Sequence, residues 1–261
     1  MPRRKMTFNN AYIISWKPTA ERLILLERVV EWVRSKDLKP IIIAMQWEEE
    51  NYEKFPNVQW VKSDLQLPPG QARNIGLNHF YSGQDDYCII LDDDTYIEKG
   101  DDIIDTMRTI DYDDVGVVTV VEHAHPEEFE ESDEHIFRVP NIFASGVFIV
   151  RNRKRIFFNP AFRWYGDKLQ YGEDVDFLAQ AWYEELGGWI VTTAITNQSR
   201  DRCMTPSTWY YEPTRESESQ ATGLIKRRIT PSRNRYEVMV EAGKIQASLE
   251  KVKPFRVSKN V

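Results

Sequence analysis

The chain has only two cysteines, Cys88 and Cys203, and neither belongs to a C-x-x-C pair. That excludes a disulfide framework, and reduced thiols in a cytosolic setting are the expectation. No apolar run approaches the roughly 20 residues that a membrane span needs. The opening "MPRRKMTFNN" is basic but has none of the apolar stretch of a signal peptide, so a cytoplasmic protein without a membrane partner is expected. Internal repeats and low-complexity tracts are absent. Positive charge is also short: the net charge of −7 excludes a generic nucleic-acid binder.

What is present is ordinary in bulk and uneven in placement. A hydrophobic fraction of 41% and a charged fraction of 29% over 261 residues are those of a globular protein with a substantial core. From Ile225 onward ten Lys or Arg residues face three Glu, so this tail carries +7 and the rest of the chain −14. A positive tail on an acidic body suits a polyanion, or packs on its own acidic neighbour.

Continuous apolar segments alternate with helical patterns. "AYIISW" (11–16), "PIIIAMQ" (40–46), "VQWVKSD" (58–64), "YCIIL" (87–91) and "GVVTVV" (116–121) read as strands. A helix is expected from about Thr19, with Leu23, Leu26, Val30 and Val33 on one face. Another is expected over "QARNIGLNHF", opened by Pro68-Pro69-Gly70. Further on, "HPEEFEESDEH" (125–135) reads as an acidic loop and "NIFASGVFIVRN" (141–152) as a strand. "DVDFLAQAWYEELGG" (174–188) reads as a helix, "WIVTTAIT" (189–196) as a strand, and a last helix is expected around 235–250. The pattern predicts an α/β fold: a mixed, mostly parallel sheet covered by helices on both faces. A domain over 1–215 and a basic, partly helical extension over 216–261 are expected.

The chemistry gathers at strand ends. "YCIILDDDTYIEKGDD" (87–102) runs from a buried strand into three aspartates. In a parallel sheet, ligands bind beyond the carboxyl ends of strands. Alternation along an extended chain predicts that Asp92 and Asp94 converge while Asp93 turns aside. Such hard oxygen ligands, with no Cys/His cluster near, suit Mg²⁺ or Mn²⁺; a solvated acidic turn is the plain alternative. An EF-hand loop is excluded because Ile97 stands where its glycine is required. A haloacid-dehalogenase motif is excluded because Thr95 comes one place too early. The second acidic element is "QYGEDVDF" (170–177), where Gly172 lets the chain bend and Glu173 and Asp174 enter a helix. Helix capping would explain those two carboxylates without a ligand.

Taken in order, an apolar first strand, "QARNIGL", "LDDD", "SGVFIVRN" and "GEDVDF" resemble the metal-dependent nucleotide-sugar glycosyltransferases of the GT-A fold. The likeness covers roughly residues 11–200 and is greatest to the family 2 and β-1,4-galactosyltransferase-like groups. The resemblance implies a Rossmann-like sheet and inverting transfer from a nucleoside-diphosphate sugar, UDP-sugar favoured, with Mn²⁺ or Mg²⁺. It implies that Asp94 ligates the metal and that Asp92 contacts the ribose or a metal-bound water, with Asp93 completing a donor-binding triplet. Arg73 would hold the nucleotide, while Ser15, Trp16 and Gln46 grip the base; Gln46 replaces the family's common aspartate. Asp174 would be the general base and Glu173 the residue that positions the acceptor. Ser145 and Gly146 would line the sugar site, and Trp164, Tyr165 and Gly172 the acceptor site. The histidine that many relatives use as a further metal ligand is missing; "ITNQSRD" offers Asn197, Gln198 or Asp201 instead. The basic tail would suit phosphate contacts, which makes DNA with a hydroxymethylated base, as in phage enzymes acting in the host cytoplasm, one candidate acceptor. Protein or carbohydrate acceptors, and a non-catalytic nucleotide-sugar binding module, stay open.

Overall fold

From Ala11 onward the buried strands divide even and odd positions between the two faces of the sheet. In the first strand, β1 (Phe8–Trp16), Ala11 and Ile13 enter one hydrophobic core and Tyr12 and Ile14 the other. The same parity holds in β4 (Tyr87–Asp92), where Ile89 and Leu91 join the first core and Cys88 and Ile90 the second. A sheet with apolar residues on both faces must be covered on both. Helix α1 (Ala20–Ser35) covers one face through Leu23, Leu26, Val29, Val30 and Val33. Helix α3 (Pro69–Ser82) covers the other through Ala72, Leu77, Phe80 and Tyr81.

The computed structural model describes residues 5–99, 103–109, 116–120, 136–138, 146–160, 164–165, 168–169, 173–174, 177, 180–181, 188–191 and 195–196. Within these, the remaining elements are β2 (Lys39–Met45), α2 (Glu49–Tyr52), β3 (Gln59–Ser63), β5 (Ile97–Lys99), α4 (Ile103–Thr109), β6 (Val117–Val120), β7 (Ile136–Arg138), β8 (Val147–Arg151), β9 (Trp164–Tyr165), β10 (Lys168–Leu169), β11 (Gly188–Val191) and β12 (Ile195–Thr196). The main sheet has eight strands in the order β3-β2-β1-β4-β8-β6-β11-β7. β3, β2, β1 and β4 are mutually parallel, with Ile13 beside both Ile42 and Leu91. β8 runs antiparallel to both β4 and β6, and β7 antiparallel to β11. The expected mixed, mostly parallel sheet with helices on both faces is what forms. No helix among the described residues is long and apolar enough to cross a membrane.

Local signals explain the two helices that matter most for the site. Thr19 caps α1, its hydroxyl accepting from the Arg22 backbone N–H at 3.3 Å, an arrangement that typically contributes about 1 kcal/mol. Pro69 opens α3 near its first turn, where its missing N–H costs nothing. Gly76 lets α3 lie close on β1: a Cβ there would stand 3.1 Å from the Tyr12 side chain.

Several expectations change. The strand expected over 189–196 is two, and the second, β12, pairs antiparallel with β5 outside the main sheet. The strand expected over 141–152 is described only from Val147 to Arg151. Elements α2, β5, α4 and β7 were not anticipated. Glu173, Asp174, Phe177, Gln180 and Ala181 are helical, in line with the helix expected there. The acidic stretch 125–135, the extension 216–261 with its helix around 235–250, and residues Cys203, Ser145 and Gly172 lie outside the described residues.

Candidate active site at the carboxyl ends of the central strands

Strands β1, β2 and β4 end side by side, and their last residues build the site. At the first two ends the chain turns through left-handed backbone, with φ of 35° at Lys17 and 54° at Gln46. The Lys17 N–H donates to the Met45 carbonyl at 2.9 Å, and the Trp16 indole N–H donates to Gln46 Oε1 at 2.9 Å. Trp16 and Gln46 are therefore joined at an accessible rim, where the sequence placed them. Ser15 is different. It is fully buried, and its hydroxyl donates to Asp93 Oδ2 at 2.7 Å, so it presents no group to a ligand's base.

The aspartate triplet is split between the two faces of the sheet. Asp92 has the parity of Cys88 and Ile90 and points its carboxylate at α3, where Arg73 Nη2 donates to Oδ1 at 2.8 Å. Asp93 has the opposite parity and meets α1, where Arg22 pairs with it. The expectation that Asp92 and Asp94 converge fails at the next residue. The strand stops at Asp92, and the Thr95 N–H donates to the Asp92 carbonyl at 3.2 Å, closing a turn. That turn sends Asp94 back to the α1 side, where the same Arg22 pairs with it. Alternation holds only while the chain is extended.

Arg73 connects the triplet to the second acidic element. Its Nη1 donates to Glu173 Oε1 at 3.0 Å while Nη2 holds Asp92, so one guanidinium joins residues 81 apart in sequence. The guanidinium lies 5.3 Å from the ring centres of both Phe148 and Phe158, and Phe158 stacks on Phe177 at 4.1 Å. These rings exclude water from Arg73, which lowers the local dielectric and strengthens each of its ion pairs. Gly70 makes the approach possible: a Cβ there would lie 3.0 Å from Phe158 Cβ and 3.2 Å from Glu173 Cγ. Gly70→Ala should therefore cost about 1 kcal/mol net, overpacking outweighing the better helix propensity of alanine. Chemical denaturation of the variant measures it.

Electrostatics set Glu173 apart. Burial, then the adjacent Asp174 carboxylate, outweigh the pull of Arg73 and raise its pKa to about 7. Asp93 is raised to about 6, by burial first and by Asp94 and Asp92 next, against Arg22 and the Ser15 hydroxyl. For both acids the folded form binds the proton more tightly than the unfolded chain. Stability contributed by these protonated forms is present at low pH and declines as pH rises from the ordinary carboxylate range through about 6 to 7. Glu173→Gln should flatten that decline, most visibly near pH 7, and leave the Asp93 part in place. Denaturant midpoints measured from pH 5 to 8 for both proteins test this.

A divalent ion on the triplet requires carboxylate oxygens that the protein has not already engaged. Asp94 accepts from Arg22 on Oδ2 and from the Thr95 hydroxyl on Oδ1, at 3.0 Å in the latter case. Asp93 accepts from Arg22 on Oδ1 and from Ser15 on Oδ2. Their side chains are 7% and 3% exposed, against 23% for Asp92. Asp93 and Asp94 thus do not fit the expected ion, and among the described residues no group of three or more His, Cys, Asp or Glu is arranged to hold one. Gly146 is buried beside the triplet, its carbonyl accepting from the Asp92 N–H at 3.2 Å. Trp164 and Tyr165 form β9, of which only the backbone is described.

Arg22 is the residue that the motif reading missed. A signal existed: an arginine in the first turn of a helix sits at the positive end of the helix dipole, where cations are disfavoured. It is also 3% exposed. A burial that violates both rules needs a strong local anion.

No family model matches the sequence, and no curated protein matches it. Solved structures do. GalNAc-T7 with UDP, GalNAc and Mn²⁺ is 13% identical with a TM-score of 0.53, covering 73% of this chain and 43% of its own. The Pyrobaculum calidifontis mannosyltransferase PcManGT in complex with GDP-Man and Mn²⁺ is 10% identical with a TM-score of 0.52, covering 95% of this chain and 79% of its own. S. aureus TarS 1-349 in complex with UDP-GlcNAc is 14% identical with a TM-score of 0.50, covering 73% and 58%. The chain thus spans less than half of the GalNAc-T7 structure. At such identities the likeness shows the fold, and the fold of this chain is the GT-A arrangement of a mixed, mostly parallel α/β sheet.

Proposed function

We propose that this protein is a glycosyltransferase that moves a sugar from a nucleoside-diphosphate sugar to an acceptor hydroxyl. One observation carries the reading: Arg73 ties Asp92, at the end of β4, to Glu173, a helical acid far along the chain. Two carboxylate clusters distant in sequence thereby border one site, as a two-substrate reaction needs. The structural neighbours, which carry UDP, UDP-GlcNAc or GDP-Man, support the donor class.

In this reading Asp174, partly exposed beside Glu173, takes the acceptor's proton as its oxygen attacks the anomeric carbon. The sugar–phosphate bond breaks on the opposite face, so the product is inverted. Glu173, whose pKa burial and Asp174 raise, keeps its proton more readily than an ordinary carboxylate and positions the acceptor hydroxyl beside the base. Arg73 and Asp92 fix the nucleotide side, and the Trp16–Gln46 rim takes the base. A UDP-sugar is the favoured donor, and Mn²⁺ or Mg²⁺ the favoured accompanying ion because Mn²⁺ accompanies the donors of the neighbours. The acceptor rests on charge alone: the +7 tail suits the phosphates of DNA, in which a hydroxymethylated base would offer the hydroxyl.

A thermal-shift series with UDP and GDP, with and without Mn²⁺, tests the donor side; stabilisation by neither nucleotide overturns the reading. DNA affinity should fall steeply between 50 and 200 mM salt (about the range over which phosphate contacts are screened). Binding that ignores salt removes DNA as the acceptor.

A further inference from the structure

We propose that Arg22 is the resident counter-cation of the aspartate triplet. It closes Asp93 and Asp94 to divalent ions in this chain and leaves Asp92 as the carboxylate that meets an ion carried in by a nucleoside diphosphate. The argument starts from Arg22 itself. Its guanidinium donates through Nη1 to Asp94 and through Nη2 to Asp93, placing one positive group between two carboxylates. The oxygens that remain are engaged by the Ser15 and Thr95 hydroxyls. These five residues form a buried network anchored to α1 by the Thr19 cap and to β1 by Ser15.

An ion entering this network would have to displace the guanidinium. The displaced group would then be buried without an anion, at the helix end where a cation is least favoured. Asp92 lies outside the network. It faces Arg73, and its side chain is the most exposed of the three. Arg22 is accordingly a positioning residue: it fixes the β4 turn so that Asp92, not Asp94, faces the donor. The Asp92 half of the proposal rests on the glycosyltransferase reading; the Arg22 half does not.

The test is Mn²⁺ binding followed by electron paramagnetic resonance, first without nucleotide and then with UDP or GDP. Wild type should bind Mn²⁺ alone no more tightly than millimolar. Arg22→Met should bind it at least tenfold more tightly, as the ion takes the vacated place between Asp93 and Asp94. With UDP or GDP, Mn²⁺ binding to wild type should strengthen and should weaken at least tenfold in Asp92→Asn. Tight binding of Mn²⁺ alone to wild type, lost in Asp94→Asn with the circular-dichroism spectrum unchanged, overturns the proposal. So does an Arg22→Met protein that folds and gains no affinity. If Arg22→Met does not fold, the wild-type titration without nucleotide decides. A nucleotide that changes nothing in any variant, while Arg22→Met still gains Mn²⁺, sinks the glycosyltransferase reading and leaves the role of Arg22 intact.

Discussion

Arg73→Met should be the most damaging single substitution in the site, lowering stability by about 3–5 kcal/mol, the usual cost of stripping one partner from a buried ion pair. The expectation follows from how the guanidinium is used. It holds Asp92 and Glu173 with separate nitrogens and is 4% exposed, with the rings of Phe148 and Phe158 packed near it. Methionine fills much of the volume but leaves the two carboxylates facing each other across an apolar gap. Glu173, whose pKa Arg73 now holds down, would shift further toward the protonated form, so the loss should be smaller at pH 5 than at pH 8. Arg73→Lys should recover little, because a single ammonium cannot reproduce a planar fork that reaches two acids at once. Denaturant titration at the two pH values measures the effect, and an Arg73→Met protein as stable as wild type would refute the bridge.

Asp174→Asn should lower transfer by about 10²–10⁴-fold, the range for loss of a general base. Nucleotide binding should stay within a few-fold of wild type, since the donor contacts assigned here lie across Arg73 from Asp174. The protein should still fold. Asp174 raises the pKa of Glu173, so removing its charge relieves a like-charge contact and Glu173 should titrate lower. That second readout separates a catalytic role from a structural one, because a structural asparagine effect would appear as lost stability. Transfer that survives the substitution unchanged, with the donor still bound, would move the base elsewhere or favour a binding module.

The parts of this molecule that were legible in the sequence are those where one local rule dominates. β1, β2, β4, α1 and α3 announce themselves by runs of apolar residues at a clear period, and Thr19 and Pro69 mark their helix starts. Asp92 and Glu173 were legible as candidates because acids at a strand end and a helix start are unusual company for apolar segments; Arg73 was legible only through the resemblance of its "QARNIGL" segment. Four-residue α2, with Glu49, Glu50 and Asn51, is too short and too polar for a period to show. The antiparallel course of β8 between β4 and β6 is a matter of connection, which periodicity does not carry. The first-turn placement of Arg22 hinted at an anion, but not at which one, since 71 and 72 residues separate it from Asp93 and Asp94. The turn at Asp93 also defeats any rule of alternation, because a hydrogen bond from Thr95 ends the extended chain one residue sooner than the triplet suggests.

The opposite facing of Asp92 and Asp93 has an evolutionary corollary. Between Tyr87 and Asp93 the chain can exchange one apolar side chain for another of similar size with modest penalty, yet gaining or losing a single residue would swap which arginine each acid meets. Descendants of this sequence should therefore drift in composition along β4 while keeping its length fixed.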